Sequence, residues 1–185
     1  MPCLNKLSIA AALIAATTFS HAEGVRSEKN MSLELANQIA AATVAACAAN
    51  GYAVSVTVVD RAGGVRAVQR ADNAGAHTLG SSERKAWTSA SVKNTTGAVM
   101  ETAQKNPAAA NLVYMPGVLL LAGGVPVKVG NETIGAVGVG GAPGGHLDEQ
   151  CAVAGIDKVK DQLKCPRRAA RGAARCSPPH WRRRR

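Results

Sequence analysis

The chain has 185 residues, 22 Lys+Arg against 12 Asp+Glu, and a formal net charge of +10. Its pI near 9.8 would by itself invite a nucleic-acid or membrane-surface reading. Placement of the charge removes that reading for the body: nine of the basic residues lie from Lys164 onward, where there is no acid, and one is Lys6, leaving 12 basic against 12 acidic residues between Glu23 and Leu163. No nucleic-acid partner is expected for this neutral middle.

At the start, Lys6, the apolar run Leu7 to Ala16 and the ending Ser20-His21-Ala22 have the three parts of a secretory signal peptide, with cleavage expected after Ala22. No later segment has the roughly 20 uninterrupted apolar residues that would cross a bilayer. A periplasmic or secreted location follows as the expectation. The stretch 164–185, with Lys164, eight arginines, three prolines and two cysteines, cannot build a core and reads as a disordered appendage. Residues 23–163, roughly 140 in number, suit one domain.

Within that domain Ser32 is a good N-cap, and Leu35, Ala36, Ile39, Ala40, Thr43, Val44 and Cys47 form one stripe of a helix that Gly51 ends. Ala53 to Val59 alternates as a strand, Asp60 to Gly64 turns the chain, and Val65 to Gln69 returns it as a hairpin. The polar stretch Arg70 to Thr78 leads to a helix over Ser81 to Ser91. A short helix from Thr95 or Thr96 stops at Asn106, because the residue before Pro107 avoids helical backbone. Ala108 to Gly117 reads as a loop and Val118 to Ala122 as a strand.

Val125, Val127 and Val129 then alternate up to the turn Gly130-Asn131, and Thr133 to Val139 answers as the second hairpin. Gly140, Gly141, Gly144 and Gly145 surround Pro143 before a helix over Leu147 to Leu163 that has Asp148 and Glu149 in its first turn. A strand that passes through a glycine loop into a helix is a natural place for a ligand. Tight turns between neighbouring strands imply an antiparallel sheet of five strands, with the two terminal helices on one face.

No CxxC, HExxH, phosphate loop or Gly-x-Ser-x-Gly is present. Gly138, Gly140 and Gly141 resemble a dinucleotide loop only loosely, since their strand belongs to a hairpin. Catalytic residues stay unassigned. His77 and His146 are the domain's two imidazoles. His77 is either a capping or exposed histidine, or a metal or haem-iron ligand or proton carrier. His146, beside Asp148 and Glu149, reads first as a surface cap. Tyr114 and Met115 offer an axial oxygen or thioether, or else simple packing. Cys47 and Cys151 read as buried apolar residues, with a bridge open to them if their helices are neighbours; Cys165 and Cys176 form a second candidate pair.

Together these pieces resemble the GlcG/HbpS haem-binding family. The matching segments are Met31-Ser-Leu-Glu-Leu-Ala, Val58-Val-Asp60-Arg-Ala-Gly63-Gly, Arg70-Ala-Asp72, Lys85-Ala, Pro116-Gly, Gly123-Gly-Val-Pro126, Ile134-Gly-Ala-Val-Gly138-Val, and Gly144-Gly-His-Leu-Asp148 through Ala154-Gly155. The resemblance spans about residues 31 to 163 and implies an α/β/α sandwich, homo-oligomers, and an exported protein that binds haem or another tetrapyrrole, in some members degrading it. It implies a site in which His77 and Thr78 approach the ligand, His77 binding its iron, while Arg70 and Lys85 meet propionates or another carboxylate. Two other functions stand beside it: an enzyme acting on a small carboxylate, with His77 moving the proton, and an accessory module that modulates an exported sensor or enzyme.

Overall fold

The computed structural model describes residues 24–164. The expectations for the segment 1–22, for the tail beyond Lys164 and for the Cys165–Cys176 pair lie outside the described residues. The first helix, α1 (Leu33–Ala48), starts on Ser32, whose hydroxyl accepts the Leu35 amide at 3.2 Å. Leu35, Ala36, Ile39, Ala40, Thr43 and Cys47 are its buried stripe.

Strands β1 (Ser55–Asp60) and β2 (Val65–Arg70) form the first hairpin. Its turn is held by the Asp60 carboxylate, which accepts the amides of Ala62 and Gly64, both at 2.9 Å. Strands β3 (Gly124–Val129) and β4 (Glu132–Gly140) form the second hairpin about Gly130, whose φ of 63° suits glycine. The four strands are ordered β2-β1-β4-β3, antiparallel throughout.

Alternation along the strands separates two faces. Val56, Val58, Val125, Val127, Val137 and Val139 pack into one core with α1 and with α4 (Gly145–Lys158). The other face carries Ser55, Thr57, Val59 and Ala136, and lies under α2 (His77–Val92). Two terminal helices on one face and α2 on the other make three layers. The second interface is unusually polar: Ser55 and Thr78 hydroxyls meet at 2.7 Å, and those of Thr57 and Ser82 at 2.8 Å. Close approach is what permits such short bonds, and it requires Gly138, where a Cβ would collide with the Ser82 carbonyl and the Ala86 amide.

Three departures from the sequence expectations have physical causes, and a fourth concerns where α4 begins and ends. The sheet has four strands rather than five, because Val118 to Ala122 runs along α2 and α3 (Thr96–Lys105) instead of pairing with a strand. Side chains satisfy its backbone: Arg84 donates to the Val118 carbonyl at 2.8 Å, the Leu119 amide donates to the Thr88 hydroxyl at 2.9 Å, and Thr96 donates to the Leu121 carbonyl at 2.7 Å. Helix α2 begins four residues earlier than expected, at His77, since hydrogen bonds to β1 override the weak helical preference of Thr78 and Gly80. Residues 107–114 of the expected loop form a 3-10 helix (Pro107–Tyr114), started by Asn106 accepting the Ala108 amide at 3.0 Å, and no residue in it is buried. Helix α4 starts at Gly145 and ends at Lys158, short of Leu163.

Among the described residues no helix is long and apolar enough to cross a membrane. Cys47 and Cys151 are bonded to each other, so the bridged state holds and not the free-thiol one.

Candidate functional site

Strand β4 ends at Gly140, and the chain passes through 141–144 directly into α4. The start of α2 lies against the same place: a Cβ on Gly140 would collide with the Ser81 hydroxyl, and one on Gly141 would come within 3.3 Å of Thr78. Two helices therefore begin at one end of the sheet. A cleft of about 1100 Å³ opens between those starts, the glycine loop and α3. This lies just above the roughly 300–1,000 Å³ common for small-molecule sites.

His77, the first residue of α2, and His146, the second of α4, both line the cleft and are exposed. They are all the histidines among the described residues. Neither helix has a side-chain cap; the Thr78 amide donates to the Gly75 carbonyl at 3.0 Å and the Leu147 amide to the Gly144 carbonyl at 2.9 Å, and the positive end of each helix dipole lies at the cleft. Met100, Leu121 and Val153 give the cleft an apolar wall, and Glu101, Glu149 and Asp157 an acidic rim.

At the base sit Lys85 and Asp148, 4% and 3% exposed. Lys85 Nζ donates to Asp148 Oδ2 at 2.7 Å and to the Val139 carbonyl at 2.8 Å, while Asp148 Oδ1 accepts the Ala142 amide at 3.0 Å. Burial pushes the Asp148 carboxyl above its ordinary value, against the downward pull of the Lys85 ammonium and the Ala142 amide.

The residues singled out from sequence are distributed unevenly. His77 and Lys85 line the cleft, although the Lys85 charge is already matched by Asp148. Thr78 is buried behind the wall, its hydroxyl shared between Ser55 and the Gly75 carbonyl at 2.6 Å. Arg70 turns its guanidinium to the Ala74 carbonyl, through Nε at 3.0 Å and through Nη2, and does not line the cleft. Tyr114 and Met115, 80% and 53% exposed at the end of the 3-10 helix, do not line it either.

Sequence reasoning missed His146, Ser81 and Met100 as cleft residues, and missed Asp148 as the partner of Lys85. For His146 the signal was present, since it follows the glycine loop at once. Among the described residues no group of three or more His, Cys, Asp or Glu side chains is placed to hold a bare metal ion.

The model of the family described as haem degrading protein HbpS-like matches residues 31–157, and the chain belongs to that family. HbpS of Streptomyces reticuli, solved as a double mutant, is 37% identical over 82% of this chain and 99% of its own, with a TM-score of 0.70. Klebsiella pneumoniae protein ORFY is 29% identical over 75% of this chain and 96% of its own, also at 0.70. PduOC, solved as a haem complex, is 22% identical over 69% and 94%, at 0.62, a likeness of fold. Comparison with curated proteins finds no match.

Proposed function

We propose that this protein binds haem or a closely related tetrapyrrole in the cleft, with His77 as the preferred iron ligand and His146 as the second imidazole within the same recess. The observation that carries the reading is that both histidines among the described residues line one cleft. A tetrapyrrole iron brings four ring nitrogens with it and takes one or two ligands from the protein, so isolated imidazoles suit it where a bare ion would need a larger cluster. The positive ends of α2 and α4, neither with a side-chain cap, attract propionates. Met100, Leu121 and Val153 offer apolar contact to the macrocycle.

Bound haem would supply the redox-active iron that oxidative breakdown requires. The chain's part is to seat the ring and hold an imidazole at the iron. Among the described residues no Phe, Tyr or Trp lines the cleft, so no aromatic side chain from them would stack over the ring. Titration of the purified protein with haem, followed at the Soret band, tests the reading, and faster loss of that band under peroxide than for free haem tests breakdown. A titration identical to that of buffer alone would end both.

Export and self-association belong to the same proposal. The Cys47–Cys151 disulfide supports export, because such bonds persist in oxidising compartments. The exposed apolar row Val113, Tyr114 and Met115 supports self-association. Intact mass of the secreted protein and light scattering after gel filtration check the two. A second reading, a small carboxylate held on the uncapped helix ends with an imidazole moving its proton, uses the same residues, and a titration without a Soret change would favour it.

A further inference from the structure

Lys85 and Asp148 form a buried ion pair at 2.7 Å. Replacing an ion pair of this kind by apolar residues of similar volume is often neutral or stabilising, so burial alone gives no reason for two charges here. What distinguishes this pair is where its three hydrogen bonds lead. Lys85 is on α2, two turns beyond His77; Asp148 is on α4, two residues beyond His146; Val139 is the last residue but one of β4; Ala142 is in the glycine loop. Each of those segments carries part of the cleft wall.

Chain entering β3 also closes over the pair. Gly123 has φ of 124°, and a Cβ there would stand 2.8 Å from the Asp148 Cβ and 2.9 Å from Lys85 Nζ. The next residue, Gly124, gives its amide to the Thr96 hydroxyl at 2.8 Å, which links α3 to the same point. Helices α2 and α4, the end of β4 and the glycine loop thus meet at one ammonium and one carboxylate, and the ammonium is already paired.

We propose that Lys85 and Asp148 are positioning residues that fix the start of α2 relative to the start of α4, and through it the placement of His77 and His146 about a tetrapyrrole iron. This rests on the reading given under Proposed function. Supporting groups of this kind around a metal ligand are typically worth roughly 10–100-fold in affinity.

The test uses the full chain and haem, with far-UV circular dichroism as the fold control. Lys85→Met with Asp148→Asn removes both charges while keeping an acceptor for the Ala142 amide. Asp148→Glu keeps both charges and lengthens the tie by one methylene, which provides a folded comparison should the double variant unfold. Expected for each folded variant is a haem Kd raised about 10-fold or more and a Soret maximum displaced from that of the native protein. A folded variant with native Kd and native maximum would overturn the positioning role alone. Absence of a Soret change in the native protein would overturn the haem reading, and this proposal with it.

Discussion

Cys47 of α1 and Cys151 of α4 are joined across 104 residues of chain, with 5.3 Å between their Cα atoms. The bridge therefore ties the helix that carries much of the cleft wall to the helix that opens the domain. Closing a loop of this length restricts the unfolded chain, and losing such a bridge typically costs about 2–5 kcal/mol. Cys47→Ala with Cys151→Ala should lower the unfolding free energy in urea by that amount. A difference below about 0.5 kcal/mol, the usual size of a neutral surface substitution, would show that the bond adds nothing to the folded state.

Thr43 lies one turn before Cys47 and faces Gly155, where a Cβ would collide with its hydroxyl. The two helices can cross this closely only over glycine. Thr43 Oγ1 is buried and finds no hydrogen-bond partner among the described residues. Burying an unpaired hydroxyl costs about 1–3 kcal/mol on the mutational scale, so Thr43→Val should leave stability unchanged or raise it by about 1 kcal/mol. Gly155→Ala should lower it by about 1–3 kcal/mol through overpacking. Paired thermal melts decide both, and a Thr43→Val protein well below the native one would contradict the account of this crossing.

Arg61, at the first hairpin turn, donates to Glu132 Oε1 at 2.7 Å and to the Lys29 carbonyl at 3.1 Å. Its hydrogen bond is the main reason the Glu132 carboxyl lies below its ordinary value of 4.5. A carboxyl lowered in the folded state contributes stability above the unfolded value and loses it as pH falls through the folded one. The stability difference between native protein and Glu132→Gln should therefore be constant near neutral pH and shrink below about pH 4.5. A difference that grows on acidification would have the wrong sign. Carboxyl titration by NMR, with Arg61→Ala as comparison, reads the cause directly.

Both hairpins were legible in the sequence because their turns are local chemistry: Asp60 caps Ala62 and Gly64, and Gly130 takes a positive φ that few other residues accept. The stripe of α1 was legible for the same reason, its period and its Ser32 cap lying within one segment. Val118 to Ala122 misled because apolar composition favours a strand, whereas Arg84, Thr88 and Thr96, distant in sequence, take up its backbone groups.

The site followed the same division. His77 was singled out from its polar loop and lies at the cleft, but the Lys85–Asp148 pair spans 63 residues and has no local signature; Asp148 read as an ordinary acidic first-turn residue. Arg70 was chosen for its charge, and only the fold shows that the guanidinium is occupied by the Ala74 carbonyl. Cleft residues come from α2, α3, the segment with Leu121 and Ala122, the glycine loop and α4, an assembly that only tertiary packing specifies.

The central claim is that an imidazole of this cleft holds a tetrapyrrole iron. Haem added in steps to the native protein, to His77→Ala, to His146→Ala and to the double variant, with the Soret band recorded at each step, tests it most directly. The account expects a saturable band in the native protein, displaced and weakened in His77→Ala, and lost in the double variant. A double variant with the native band and native affinity would contradict it.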